Sequence, residues 1–137
     1  MAVFTIGYGG RRFDDFVALL QQHGISLVVD IRRFPRSKMP EYNKESIEAK
    51  LPQFGISYIW MGETLGGLRR DGYPKYMESD SYQDGISKLL ELAEQGNLVL
   101  MCKERTDAAC HPRYIIETLA DKGIRTISIT PSLPGVS

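Results

Sequence analysis

The chain has little of what most often announces a chemistry: its 137 residues include two cysteines, two histidines and one tryptophan. Two cysteines are too few for a disulfide scaffold, which points to a reducing cytoplasm and to a fold held by its core. The length suffices for one domain over residues 1–137 that buries most of its apolar surface. No apolar run approaches the roughly 20 residues that a membrane helix needs. The opening "MAVFTIGYGG" lacks a basic flank and a long apolar stretch, so it does not read as a secretory signal. Lysine and arginine total 17, as do aspartate and glutamate, so no net charge draws the chain towards nucleic acid or a membrane.

What is present is alternation. Short apolar runs at 3–6, 26–31, 57–61, 98–102 and 125–129 read as buried strands. Between them, apolar residues recur at helical spacing: Phe13, Phe16, Val17 and Leu20; Ile47, Leu51 and Phe54; Ile86, Leu89, Leu90 and Ala93; Ile115, Ile116 and Leu119. The phrases "QHGIS", "QFGIS" and "DKGIR" each place Gly where a helix end needs positive φ, with an apolar residue next to begin a strand. The expectation is an α/β fold: a single three-layer domain whose mostly parallel sheet of about five strands is flanked by helices. Residues 131–137, "PSLPGVS", read as a frayed tail. In such a sheet every strand-to-helix loop emerges at one edge, where ligands bind. Those loops, 7–12, 32–43, 62–81 and 103–111, hold nearly all the unusual residues.

"TIGYGGRR" (5–12) is a strand followed by glycines and a cation pair that open a helix, an arrangement suited to an anion at a helix N-terminus. Its Gly spacing is not that of the dinucleotide fingerprint, and a tight turn with an exposed Arg pair explains it as well. "DIRRFPRSK" (30–38) puts Asp30 near a strand end with Arg32 facing the same way. Asp30 is then a general base, a ribose-hydroxyl acceptor or the partner of Arg32. Pro35 keeps Phe34 out of the α region, so the segment is a presented loop. "GETLGGLRRDGYPKY" (62–76) interleaves Tyr73 and Tyr76 with Arg69, Arg70 and Lys75, a mix suited to a base or a phosphate as well as to an ordinary surface loop.

"MCKERTDAACHPRY" (101–114) holds both cysteines. Cys102 ends a strand, and Pro112 favours His111 as N-cap with Pro112 as the first residue of the next helix. Cys110 and His111 then lie at a helix N-terminus, which can lower a thiol pKa. Zinc would want four ligands, whereas Cys102, Cys110 and His111 offer three without Cys-x-x-Cys spacing, so no metal is expected. The strand–Cys–loop–helix order is similar to that of thiol phosphatases and sulfur transferases, but the phosphatases place Arg six residues after the cysteine, where this chain has Ala108. Cys102 as a buried small hydrophobe is the plain alternative, leaving Glu104 and His111 as acid/base or ligand-contacting groups.

Taken together, "TIGYGG", "LVVDIRRFPRSK", "LGG", "LMCKE" and the following "CH", spread from Thr5 to about Arg113, resemble the family called domain of unknown function 488. The resemblance implies a small cytoplasmic α/β protein, of a kind mostly bacterial and archaeal, with no settled activity. It also implies recurring polar positions at Tyr8, Asp30, Arg32, Pro35, Ser37, Gly66, Gly67, Cys102, Glu104, Cys110 and His111. The chain departs from the family where Cys-His-Arg is usual: Pro112 intervenes and Arg113 is turned by about 100° on a helix. It also carries Arg11 and Arg12 where the family usually has Ser or Thr.

The first functional expectation is an enzyme of hydrolase or transferase type acting on an anionic small molecule such as a nucleotide or a nucleobase-containing substrate. Tyr8, Gly9, Arg11, Arg32, Ser37, Gly66, Gly67 and Arg113 would bind the ligand. Asp30 or Glu104 would serve as acid or base, His111 would assist, and Cys102 or Cys110 is a candidate nucleophile. No cofactor is implied, and no membrane partner. The alternatives are a non-catalytic nucleic-acid-binding module built on "RRFPRSK", Arg69, Arg70, Tyr73 and Tyr76, and a redox-responsive cysteine protein.

Overall fold

The computed structural model describes residues 3–103 and 111–129. Five parallel strands form one sheet in the order β3-β2-β4-β1-β5. They are β1 (Val3–Gly7), β2 (Leu27–Asp30), β3 (Ser57–Trp60), β4 (Leu98–Cys102) and β5 (Thr126–Ser128). The central strand β4 and its neighbour β1 are buried along their whole length, which is why they read as unbroken apolar runs. The edge strands β3 and β5 are partly exposed.

Alternation along each strand feeds two cores. Phe4, Ile6, Val28, Val99 and Met101 face one side, where they meet Phe13, Phe16, Val17 and Leu20 of α1 (Phe13–Gln22) and Ile47 of α2 (Lys44–Lys50). Val3, Val29, Leu98, Leu100 and Cys102 face the other. That side is covered by α3 (Gly62–Leu65), α4 (Tyr73–Tyr76), α5 (Asp80–Ala93) and α6 (Pro112–Asp121). Short 3₁₀ turns occupy Pro40–Tyr42 and Leu51–Phe54. Fully buried side chains such as Phe16, Leu20, Leu89 and Leu119 each contribute roughly 1.5–3 kcal/mol of burial.

The helix-to-strand glycines behave as their phrases predict, with φ of 66° at Gly24, 76° at Gly55 and 83° at Gly123. Pro112 opens α6 with His111 before it, also as expected. The loop 62–81 differs from expectation. It contains α3 and α4, each four residues long, held by tertiary hydrogen bonds from Tyr73 Oη to the Leu65 carbonyl (2.8 Å) and from Tyr76 Oη to the Thr64 carbonyl (2.7 Å). Among the described residues no helix is long and apolar enough to cross a membrane. The expected tail, 131–137, lies outside the described residues.

Candidate anion-binding crevice

The strand order fixes where a ligand can enter. The connections after β1 and β2 run over the α1/α2 face, whereas the connection after β4 runs over the α6 face. Chains therefore diverge on either side of the β4 end and open a crevice there, the topological switch point of such sheets. A cavity of about 440 Å³ occupies that position. Its floor is Tyr8, Arg32 and Cys102, its walls carry Arg33, Arg36, Lys103, Gly67 and His111, and its mouth is flanked by Phe34 and Leu68.

Asp30 closes β2 with a wholly buried carboxylate. Oδ1 accepts from Arg32 Nε (2.8 Å) and from the Arg32 backbone N–H (3.1 Å). Oδ2 accepts from Arg32 Nη2 (2.7 Å) and from Tyr58 Oη (2.5 Å). Four donors saturate the carboxylate, so of the roles open to Asp30 this geometry realises that of partner to Arg32. Burial works against charge on Arg32, but the hydrogen bonds and charge of Asp30 outweigh it and hold the guanidinium above its ordinary pKa. Nη1 points on to Tyr8 Oη at 3.4 Å, and the guanidinium lies 5.2 Å from the Tyr8 ring centre. Burial, followed by the Asp30 charge, likewise keeps the Tyr58 phenol protonated well above its usual range.

Tyr8 is itself fixed from behind by stacking on Tyr42, 4.3 Å between centroids, and Tyr42 Oη donates to the Arg11 carbonyl (2.9 Å). The first glycine loop is used internally: the Tyr8 and Gly9 amides donate to the carbonyls of Cys102 (2.9 Å) and Lys103 (2.8 Å). Arg11 is buried, with Nε on the Gly7 carbonyl (2.8 Å), and braces the turn away from the crevice. Ser37 also shapes a loop, its Oγ accepting from the Met39 N–H (3.0 Å) and its N–H donating to Asn43 Oδ1 (2.7 Å). Gly9 and Ser37 line a second depression of about 400 Å³ beside the first.

The "LGG" segment needs its glycines for close approach. A Cβ on Gly66 would lie 2.3 Å from the Gly62 carbonyl and 2.7 Å from Arg33 Cα, and one on Gly67 would lie 2.9 Å from His111 Nδ1. His111 Nε2 sits 3.1 Å from the Ile31 carbonyl, so Nε2 carries the proton and Nδ1 is the basic nitrogen of the neutral ring. Burial lowers the His111 pKa below its ordinary value, with Arg69 adding to the effect; the Ile31 and Leu65 carbonyls oppose it.

Of the remaining sequence candidates, Cys102 lines the crevice as a buried residue at the end of β4. Glu104 and Cys110 lie outside the described residues. Arg113 stands on the exposed side of α6, 4.7 Å over the Tyr114 ring with Nη2 on its hydroxyl (2.8 Å), and does not line the cavity. Among the described residues no group of three or more His, Cys, Asp and Glu side chains is placed to hold a metal ion.

Sequence reasoning passed over Tyr58 and gave no ligand role to Phe34, Leu68 and Lys103. Tyr58 had a signal, since it lies in β3 two residues before Trp60, the partner of Asp30 in the ladder, and so on the same face. Leu68 had none: its φ of 60° and its position at the cavity mouth follow from the loop's tertiary setting.

The sheet and its crevice define an α/β protein with a cationic cavity at the switch point, lined among the described residues by four cations and no carboxylate. A family model, Domain of unknown function DUF488, matches residues 12–119, and the chain belongs to that family. The "TIGYGG" strand lies just ahead of the matched stretch. No curated protein and no solved structure matches the chain.

Proposed function

We propose that the chain is an enzyme acting on an anionic small molecule with a flat or apolar part, such as a nucleotide or another nucleobase-containing substrate, bound at the end of β4. One observation carries this reading: Arg32, Arg33, Arg36 and Lys103 line a crevice that has Phe34, 64% exposed, at its mouth. Clustered cations suit a phosphate, and an exposed ring suits a base. Arg32 is the fixed element, because Asp30 holds its guanidinium before any ligand arrives and a ligand therefore orders little. His111 supplies acid/base chemistry through a ring whose neutral form predominates at pH 7.

The test is a thermal-shift and calorimetric panel of nucleosides, nucleoside phosphates, sugar phosphates and inorganic phosphate. Nucleoside phosphates should stabilise the protein, and Arg36→Ala, at an exposed position, should remove most of that effect without changing the unliganded melting point. His111→Gln should retain binding and abolish turnover of any substrate found. Stabilisation indifferent to Arg36→Ala and to Arg32→Lys would contradict the reading.

A further inference from the structure

The crevice is one stretch of a longer cationic band. On one side it shares Tyr8, Arg36 and Lys103 with the depression that adds Lys38. On the other it shares Arg33 with a depression of about 380 Å³ that adds Arg69, Arg70 and Lys75. The three together hold eight of the chain's 17 lysines and arginines and, among the described residues, one carboxylate, Asp71. In a chain with no net charge, such crowding on one rim leaves the acids elsewhere. A further depression shares Arg33, Phe34 and Arg36 with the crevice and adds Lys44 together with Glu45 and Glu63, so carboxylates join the cations on that flank.

A single mononucleotide would leave most of this band unused. From it we infer that the substrate is presented as a single-stranded nucleic acid, its backbone crossing the crevice from the Lys38 side to the Arg70 and Lys75 side, with one unpaired base against Phe34. This deepens the reading above and rests on it. Phe34 and Leu68 both line the crevice and are 64% and 81% exposed, and a stacked base covers such surface whatever its identity. In a duplex that base face is taken up by its neighbours. Arg69 is tied to the Gly66 and Glu63 carbonyls (2.8 and 2.7 Å) and lies 3.8 Å over the Tyr76 ring. It therefore stiffens the far depression, while Arg70 and Lys75 are the exposed charges there.

Fluorescence anisotropy with labelled deoxythymidine strands of increasing length tests this, with a mononucleotide as competitor. Affinity should rise with length to a plateau. Its logarithm should fall with the logarithm of salt at a slope of about −2 or steeper, since each single-strand phosphate contact contributes about −0.7. Phe34→Ala should weaken strand binding about tenfold. The Arg70→Ala/Lys75→Ala double variant should weaken long strands several-fold and leave mononucleotide binding unchanged. Mononucleotide binding that is lost in Arg36→Ala but gains nothing from length would overturn the inference and leave the small-molecule reading standing. Strand binding indifferent to Arg36→Ala, or no binding of either ligand, would overturn both. Equal competition by inorganic polyphosphate with no effect of Phe34→Ala, or tighter binding of duplex, would overturn the single-strand assignment.

Discussion

Arg32 and Asp30 face each other through two charge-assisted hydrogen bonds, 2.8 Å from Nε to Oδ1 and 2.7 Å from Nη2 to Oδ2, with Asp30 wholly buried and Arg32 nearly so. Breaking such a pair by removing one partner strands the other charge in the protein. Asp30→Asn is therefore expected to destabilise the fold by about 3–5 kcal/mol. Replacing both, as Asp30→Asn with Arg32→Gln, should destabilise by less than the sum of the single changes. Denaturant unfolding of the four proteins of this cycle measures the coupling.

Tyr58 completes the Asp30 shell from the neighbouring strand. Tyr58→Phe keeps the ring and removes one donor to a buried carboxylate, a loss of about 1.5–3 kcal/mol. The protein should remain folded at 25 °C, with its unfolding midpoint lowered.

The phenols of Tyr42, Tyr58, Tyr73 and Tyr82 are all held protonated above their usual range, with burial the largest cause in each. The native state thus keeps protons that the unfolded chain gives up from about pH 10. Raised native pKa values mean stability that is intact below pH 10 and falls as pH rises beyond it. Absorbance at the phenolate band should show these four tyrosines titrating together with alkaline unfolding.

His111 carries the opposite sign. Its native pKa is lowered by burial, with Arg69 adding to it against the Ile31 and Leu65 carbonyls. Its contribution to stability is present above about pH 6.5 and is lost as pH falls. Melting temperature should drop between pH 7 and pH 5, and His111→Gln should flatten that drop. Imidazole nitrogen shifts should place its titration below that of a free histidine.

Gly67→Ala would put a methyl 2.9 Å from His111 Nδ1, and Gly62→Ala one 1.8 Å from the Arg32 carbonyl. The second meets backbone and should destabilise by about 1–3 kcal/mol or more. The first meets a side chain that can turn. It should therefore move the His111 resonances and ligand affinity more than the melting point.

Much of this was legible in residue types and spacing. Fully buried β1 and β4 read as apolar runs, the helical stripes gave α1, α5 and α6, and positive-φ glycines after α1 and α6 marked the turns into β2 and β5. The two-residue period of a strand put Asp30 and Arg32 on one side with their pairing as one of three roles open to Asp30, and the structure pairs them. The strand order did not follow, because sequence periodicity says which residues face a core and not which strand lies beside which. Nor did α3 and α4, which are too short to show a helical period and are held by Tyr73 and Tyr76 hydroxyls reaching back along the loop. Arg11 was expected at the ligand and is instead buried on the Gly7 carbonyl, since the turn from β1 into α1 is packed down and leaves that carbonyl little access to water. Arg113 is displaced from the crevice onto Tyr114, on the exposed side of α6.

Whether an anion binds at the end of β4 is decided by backbone amide chemical-shift mapping with a nucleoside monophosphate. Saturable shifts are expected to concentrate at Tyr8, Arg33, Phe34, Arg36, Leu68 and Lys103 around the end of β4 and to be lost in Arg36→Ala. Shifts clustered at the opposite edge, around Gly24, Gly55 and Gly123, or no saturable shifts for any anion, would contradict binding there.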